Sequence, residues 1–82
     1  METQEVMDRV VGIVRPFVKE ENALKSVAKG TSILDDLKVN SARLVDIVLA
    51  FEDEFDIEIE DEDADRVKTI GDATDLVLEK VA

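Results

Sequence analysis

Chemistry in this chain has to be done without the side chains that most often do it. Its 82 residues include no cysteine and no histidine. That removes a thiolate nucleophile, a disulfide framework, a thiolate metal site and the usual general base. Hydroxyls, carboxylates and lysines remain. Among the hydroxyls, Ser41 has the most suggestive setting, because Asn40-Ser41 is a helix-start signal ahead of an amphipathic segment. One role for a serine there is to cap the helix. The other is attachment: unpaired N–H groups and the positive end of the helix dipole would favour a phosphodiester on its oxygen. No side chain stands out as a base to activate Ser41, so another enzyme must carry out any reaction there. No catalytic residue is expected, and the chain reads as a non-enzyme.

Carboxylates are the other candidates. Residues 52–65 hold ten acids in fourteen positions. Within and beyond them, Asp61, Asp63, Asp65 and Asp72 have the spacing of four ligand positions in a calcium loop. Arg66 stands where that loop needs glycine, and Asp72 where it needs a bidentate glutamate. No specific metal site is expected. Loose association of divalent cations with the acidic surface would instead relieve self-repulsion.

The wider charge balance narrows the partners. There are 21 acids against 10 bases, a net charge of −11. Residues 1–40 carry seven acids and six bases, whereas residues 41–82 carry fourteen and four, so the acidic field belongs to the second half. Binding to nucleic-acid phosphate is disfavoured. Aromatics are only 4% of residues, which leaves little to stack on bases. A basic protein partner would be attracted. A hydrophobic content of 45% argues for a folded chain in spite of the charge. The longest apolar runs, such as Ile47-Val48-Leu49-Ala50-Phe51, are too short to insert in a membrane. One small cytoplasmic domain spanning residues 1–82, monomeric and soluble, is the expectation.

The elements that must position Ser41 are helical. Val6, Val10, Ile13, Val14 and Phe17 follow a helical period, with Thr3 as N-cap. Gly12 weakens that helix, and Pro16 should kink it or start a new turn. Residues 23–40 read as a long loop, anchored by Ile33, Leu34 and Leu37 plugging into the core. Leu44, Ile47, Val48, Phe51 and Phe55 mark the buried stripe of a second helix. A short third helix starts at Asp61 as cap, with Ala64 and Val67 inward. Thr69-Ile70-Gly71-Asp72 resembles a capping box and starts a last helix that buries Ile70, Ala73, Val77 and Val81. The fold expected is all-α, a small four-helix bundle of three substantial helices and one short one.

The second helix has more apolar residues than its buried stripe needs. Ala42, Val45 and Leu49 project from its opposite side, among Asp46, Glu52 and Asp53. That outer side is either an ordinary solvated face with a few exposed aliphatics or a docking surface with an acidic rim that steers basic partners.

The ordering of these residues resembles a known family. Leu34-Asp35-Asp36-Leu37, Asn40-Ser41-Ala42 and Val45-Asp46-Ile47-Val48, running into Phe51-Glu52-Asp53-Glu54-Phe55-Asp56-Ile57-Glu58-Ile59, are similar to the acyl carrier proteins. The likeness continues through Asp61-Glu62-Asp63-Ala64-Asp65 and Thr69-Ile70-Gly71-Asp72-Ala73. It implies that Ser41 receives 4′-phosphopantetheine from coenzyme A through a phosphopantetheinyl transferase. The thiol of that group would hold acyl intermediates as thioesters for fatty-acid, polyketide or related lipid synthesis, supplying the sulfur this chain lacks. The resemblance further implies that acyl-transferring and condensing enzymes with basic patches dock at Ala42, Val45, Asp46, Leu49, Glu52 and Asp53. A short acyl chain would sit in the bundle interior lined by Ile47, Phe51, Phe55, Ile59 and Val67. Four features depart from the family pattern. Asn-Ser-Ala replaces the usual Asp-Ser-Leu, Arg43 adds a positive charge, Glu60 stands where a proline is frequent, and Pro16 interrupts the first helix. These departures mark the expected carrier as a specialised member of the family serving a polyketide, lipid or other secondary pathway, with the housekeeping carrier of fatty-acid synthesis as the alternative. The alternative from another class is an unmodified acidic helical module that occupies a basic partner.

Crowded carboxylates over residues 52–65 repel one another, and salt screens that repulsion. The melting temperature should therefore rise with added salt or magnesium in a thermal-denaturation series. A flat response would mean that the acids are too well solvated to matter.

Overall fold

Residues 2–81 are described by a computed structural model of the protein. Their apolar periodicity folds into four α-helices: α1 (Thr3–Val14), α2 (Leu44–Phe55), α3 (Asp61–Ala64) and α4 (Ile70–Val81). Three 3-10 turns, Arg15–Phe17, Glu21–Ser26 and Ser41–Arg43, accompany them. Among the described residues there is no strand, only an isolated antiparallel bridge between Ser32 and Thr69. The bundle measures 32 × 26 × 18 Å.

In α1 the four-residue spacing of Val6, Val10 and Val14 puts all three at zero exposure, while Ile13 is half-buried. The cap lies one residue earlier than expected. Glu2 is the extended N-cap and Thr3 is already helical, because the Val6 amide closes the first turn on the Glu2 carbonyl at 3.1 Å. Pro16 does start a new turn. It sits early in the 3-10 turn after α1, a position where proline's fixed φ and missing N–H are tolerated. The expected loop over residues 23–40 is shorter than that, since residues 23–26 belong to the turn Glu21–Ser26. That turn holds Ala23 and Leu24 against the core.

Ile33 and Leu37 anchor the remaining loop at 1% and 0% exposure, but Leu34 remains 36% exposed. The reason is local. The amides of Asp36 and Leu37 both donate to the Ser32 carbonyl, which makes one helical turn. Residues 33 and 37 then share a side and Leu34 does not. Val39, absent from the expected anchors, is buried as well.

The stripe of α2 is as expected for Ile47, Val48, Phe51 and Phe55, with Leu44 half-buried at the end near Ser41. Asp56 closes α2 in the left-handed region at φ 53°, which aspartate tolerates better than most residues. Glu60, not Asp61, caps α3, because its carboxylate reaches the Asp63 amide while the Asp63 carboxylate returns to the Glu60 amide. Val67 is buried but lies beyond the end of α3. The capping box of α4 forms as read: Thr69 Oγ1 accepts from the Asp72 amide at 3.0 Å and Asp72 Oδ2 from the Thr69 amide at 3.1 Å. Inside α4, Leu76 and Thr74 join Ile70, Ala73 and Val77 in the core, while Val81 is half-buried. The Thr74 hydroxyl donates to the Ile70 carbonyl at 2.8 Å, so no buried polar side-chain atom lacks a partner among the described residues.

Gly71 is where the loop approaches α4 most closely. Its amide donates to the Lys29 carbonyl at 2.8 Å, and a Cβ there would meet that same oxygen at 2.8 Å. A Cβ on Gly12, by contrast, would meet nothing within 4 Å. One substitution should therefore have opposite effects at the two sites. Gly71→Ala should destabilise by about 1–3 kcal/mol through the forced backbone shift. Gly12→Ala should stabilise by about 1 kcal/mol through helix propensity. Urea unfolding of both variants would check the signs.

Candidate functional site

The approach to α2 is set by Asn40. Its backbone is extended, and its Oδ1 accepts from the Ala42 amide at 2.9 Å while its carbonyl accepts from the Arg43 amide at 2.8 Å. Asn40 is thus the cap, and the Ser41 hydroxyl is released from that duty. Ser41 opens the 3-10 turn that runs straight into α2, and it is exposed. Arg43, with its side chain 64% exposed, pairs with Asp46 at 3.1 Å. The one acid on the first two turns of α2 is therefore partly neutralised beside the serine.

A groove of about 440 Å³ opens next to Ser41. Ser41, Leu44, Val45, Val48, Leu49 and Glu52 form its α2 side, the positions that share a helix face at three- and four-residue steps. Ile59, Ala64 and the acids Asp61 and Asp65 form the opposite side. Its aliphatic lining with a few polar groups suits an apolar ligand.

The other residues singled out from sequence fall into three places. Ala42 is exposed in the turn before α2, and Val45, Asp46, Leu49 and Asp53 are exposed on α2, with Val45 at 65% and Leu49 at 54%. Val45 and Leu49 border the groove beside Leu44 and Val48 and do not stand opposite them as expected. Glu52 differs from them, because it is half-buried and its Oε2 accepts from the Ile59 amide at 2.9 Å. Of the five residues expected around an interior chain site, only Ile59 lines the groove. Ile47, Phe51, Phe55 and Val67 are packed in the core beneath. Leu44, Val48 and Ala64, read from sequence only as core stripe, turn out to be groove walls. Their spacing from Ser41 carried that signal on α2; nothing in the sequence brought Ala64 opposite.

Two of the four acids with calcium-loop spacing are engaged elsewhere, while Asp61 and Asp65 are exposed on the groove. Asp72 caps α4. Asp63 Oδ2 lies 2.9 Å from Lys80 Nζ, and Oδ1 lies 3.7 Å from Arg66, which also reaches Glu79 at 3.4 Å. These pairs tie the groove wall at α3 to the last turn of α4.

The geometry sets an accessible hydroxyl at the mouth of an apolar groove, as expected of a carrier domain that other enzymes modify. Comparison with known proteins agrees. The family model for a phosphopantetheine attachment site matches residues 8–77. The acyl carrier protein of Caulobacter vibrioides is 38% identical over 78 residues, covering 95% of this chain and 97% of the relative. That of Picosynechococcus is 34% identical over 77 residues, covering 94% and 93%. A solved structure of the Enterococcus faecalis acyl carrier protein superposes with a TM-score of 0.79 at 35% identity, covering 98% of this chain and 99% of that one. The chain belongs to the acyl carrier protein family. It is a carrier whose cofactor is covalently attached 4′-phosphopantetheine, and it works with a phosphopantetheinyl transferase and acyl-processing enzymes. None of its described helices is long and apolar enough to cross a membrane.

The Asp63–Lys80 pair has a pH signature. The hydrogen bond from Lys80 holds the Asp63 carboxyl below its usual value; partial burial opposes this, and the Glu60 amide and the Lys80 and Arg66 charges add to it. The same bond holds Lys80 above its usual value. Stabilisation from Asp63 is complete above the ordinary aspartate pKa and fades as pH falls through its lower folded value. Stabilisation from Lys80 is complete below the ordinary lysine pKa and fades only as pH rises through its raised value. Lys80→Ala should return Asp63 toward ordinary aspartate titration, read by carboxyl NMR. It should also flatten the acid limb of stability in urea unfolding. An unchanged Asp63 titration would show that the pair is not formed in solution.

Proposed function

We propose that Ser41 is the residue that bears phosphopantetheine, and that the adjoining groove shelters the acyl chain carried on it. The observation that carries this reading is the free, exposed Ser41 hydroxyl at the groove mouth, relieved of capping by Asn40. The residues present fit the group. A phosphodiester on Ser41 lies at the positive end of the Ser41–Phe55 helical run, with the Arg43 guanidinium two residues away. The arm supplies the thiol for thioester chemistry, in a chain with no cysteine of its own. Transfer of phosphopantetheine from coenzyme A to the serine oxygen needs the transferase, since no base stands ready at Ser41.

Partner enzymes of fatty-acid, polyketide or related lipid synthesis dock, in this reading, on the exposed strip of Ala42, Val45, Asp46, Leu49 and Asp53. Val45 and Leu49 supply a desolvating centre, and the acids beyond it steer basic patches. Glu52, which sequence alone groups with this strip, contributes charge at its edge while its carboxylate is bonded to Ile59. The carrier acts as a monomer in the cytoplasm; its net charge of −11 opposes self-association. The surface expected of a mere acidic module is present too, but such a module has no use for an open groove ending at a serine.

Incubation with coenzyme A and a broad-specificity phosphopantetheinyl transferase should add the mass of phosphopantetheine to the intact protein. Ser41→Ala should abolish the gain while leaving the thermal melt nearly unchanged, since the Ser41 side chain is exposed. An equal gain in the variant, or none in the wild type, would refute the assignment.

A further inference from the structure

The groove beside Ser41 has two unlike ends. One is the serine, open to solvent. The other is Glu52, about three helical turns along the same face of α2. The lining between them is aliphatic on α2, from Leu44, Val45, Val48 and Leu49, and mixed opposite, where Ile59 and Ala64 stand with the exposed acids Asp61 and Asp65. Glu52 is the last α2 residue on the groove and the single acid that α2 contributes to it.

Glu52 also joins the two walls. Its Oε2 accepts from the Ile59 amide at 2.9 Å in a partly buried setting. Its carbonyl accepts from the Asp56 and Ile57 amides, so the turn leading to Ile59 is fastened to this one residue three times. Along the α2 wall, a hydrocarbon chain advancing from Ser41 meets only aliphatic side chains until it reaches this bridge. To pass, it would have to part the carboxylate from the amide and leave one of them against hydrocarbon, which is unfavourable.

We propose that the Glu52–Ile59 bridge is the end stop of the groove, and that Glu52 is a positioning residue that sets the length of acyl chain this carrier shelters. The inference rests on the reading that Ser41 bears the acyl arm and the groove receives the chain. It differs from a docking role for Glu52, because the carboxylate acts on the interior wall and not on a partner.

The test uses the whole protein loaded at Ser41 from a series of saturated acyl-coenzyme A thioesters of increasing length, with loading verified by intact mass. For the wild type, the melting temperature should rise with chain length and then level off. In Glu52→Ala the plateau should move to chains longer by about one 5 Å helical turn. Glu52→Gln keeps an acceptor for the Ile59 amide and should level off where the wild type does. In the wild type itself, the Ile59 amide should stay protected from hydrogen exchange up to the plateau length and exchange faster beyond it. That measurement decides the matter even if Glu52→Ala does not fold. A plateau at the same length in Glu52→Ala and wild type overturns the proposal, as does Glu52→Gln shifting as far as alanine, or Ile59 protection indifferent to chain length. Failure to load at Ser41 would sink the carrier assignment itself, and the mass spectrum separates that result from the others.

Discussion

Phe51 is the largest fully buried side chain of the protein, and withdrawing it from water sets the rotation of α2. A helix is rigid about its own axis, so one buried position determines the direction of the rest. Ile47 turns inward one turn earlier and Phe55 one turn later. Val45 and Leu49 each stand two residues, about 200°, from Ile47, which leaves them largely exposed at the groove edge. Ser41 follows the same logic, since its turn continues directly into α2. The core thereby determines which surface a partner meets, without any residue of that surface contributing much to stability.

Because the apolar rhythm of α1, α2 and α4 is strong, their existence and buried sides were legible in the residues alone. Misplacements occurred where one or two hydrogen bonds decide the outcome. Glu2 in place of Thr3, and Glu60 in place of Asp61, depend on which carbonyl or carboxylate a single amide finds. Leu34 was misread because its neighbours Ile33 and Leu37 sit in a helical turn made by the Ser32 carbonyl, a contact without periodic signature. The groove was only half legible. Its α2 wall follows from steps of three and four from Ser41, but its other wall depends on where the turn after Asp56 sends Ile59 and Ala64. That path is set by long-range packing and by Glu52, neither of which hydropathy encodes.

Acidity in this protein does two separate jobs. Asp36, Glu52, Glu60, Asp63 and Asp72 accept from backbone amides at turns and helix starts, where a carboxylate satisfies a donor and complements the dipole. Asp53 and most of the remaining acids stay in solvent and shape the external field. Arg43 modifies that field where it matters most. By pairing with Asp46 it leaves the serine end of α2 close to neutral, so the negative potential begins further along the helix. A partner reading this face by charge would be guided to the far end first.

The loop at residues 29–33 is stitched to the start of α4 by backbone alone: Gly71 to Lys29 at 2.8 Å, Ile70 to Thr31 at 3.0 Å and Ile33 to Lys68 at 3.0 Å. These bonds join stretches almost forty residues apart, so ring closure must be bought before any of them forms. The approach to the serine therefore has little independent existence. Its backbone partners lie at the start of α4, so the loop and that helix depend on each other for their place.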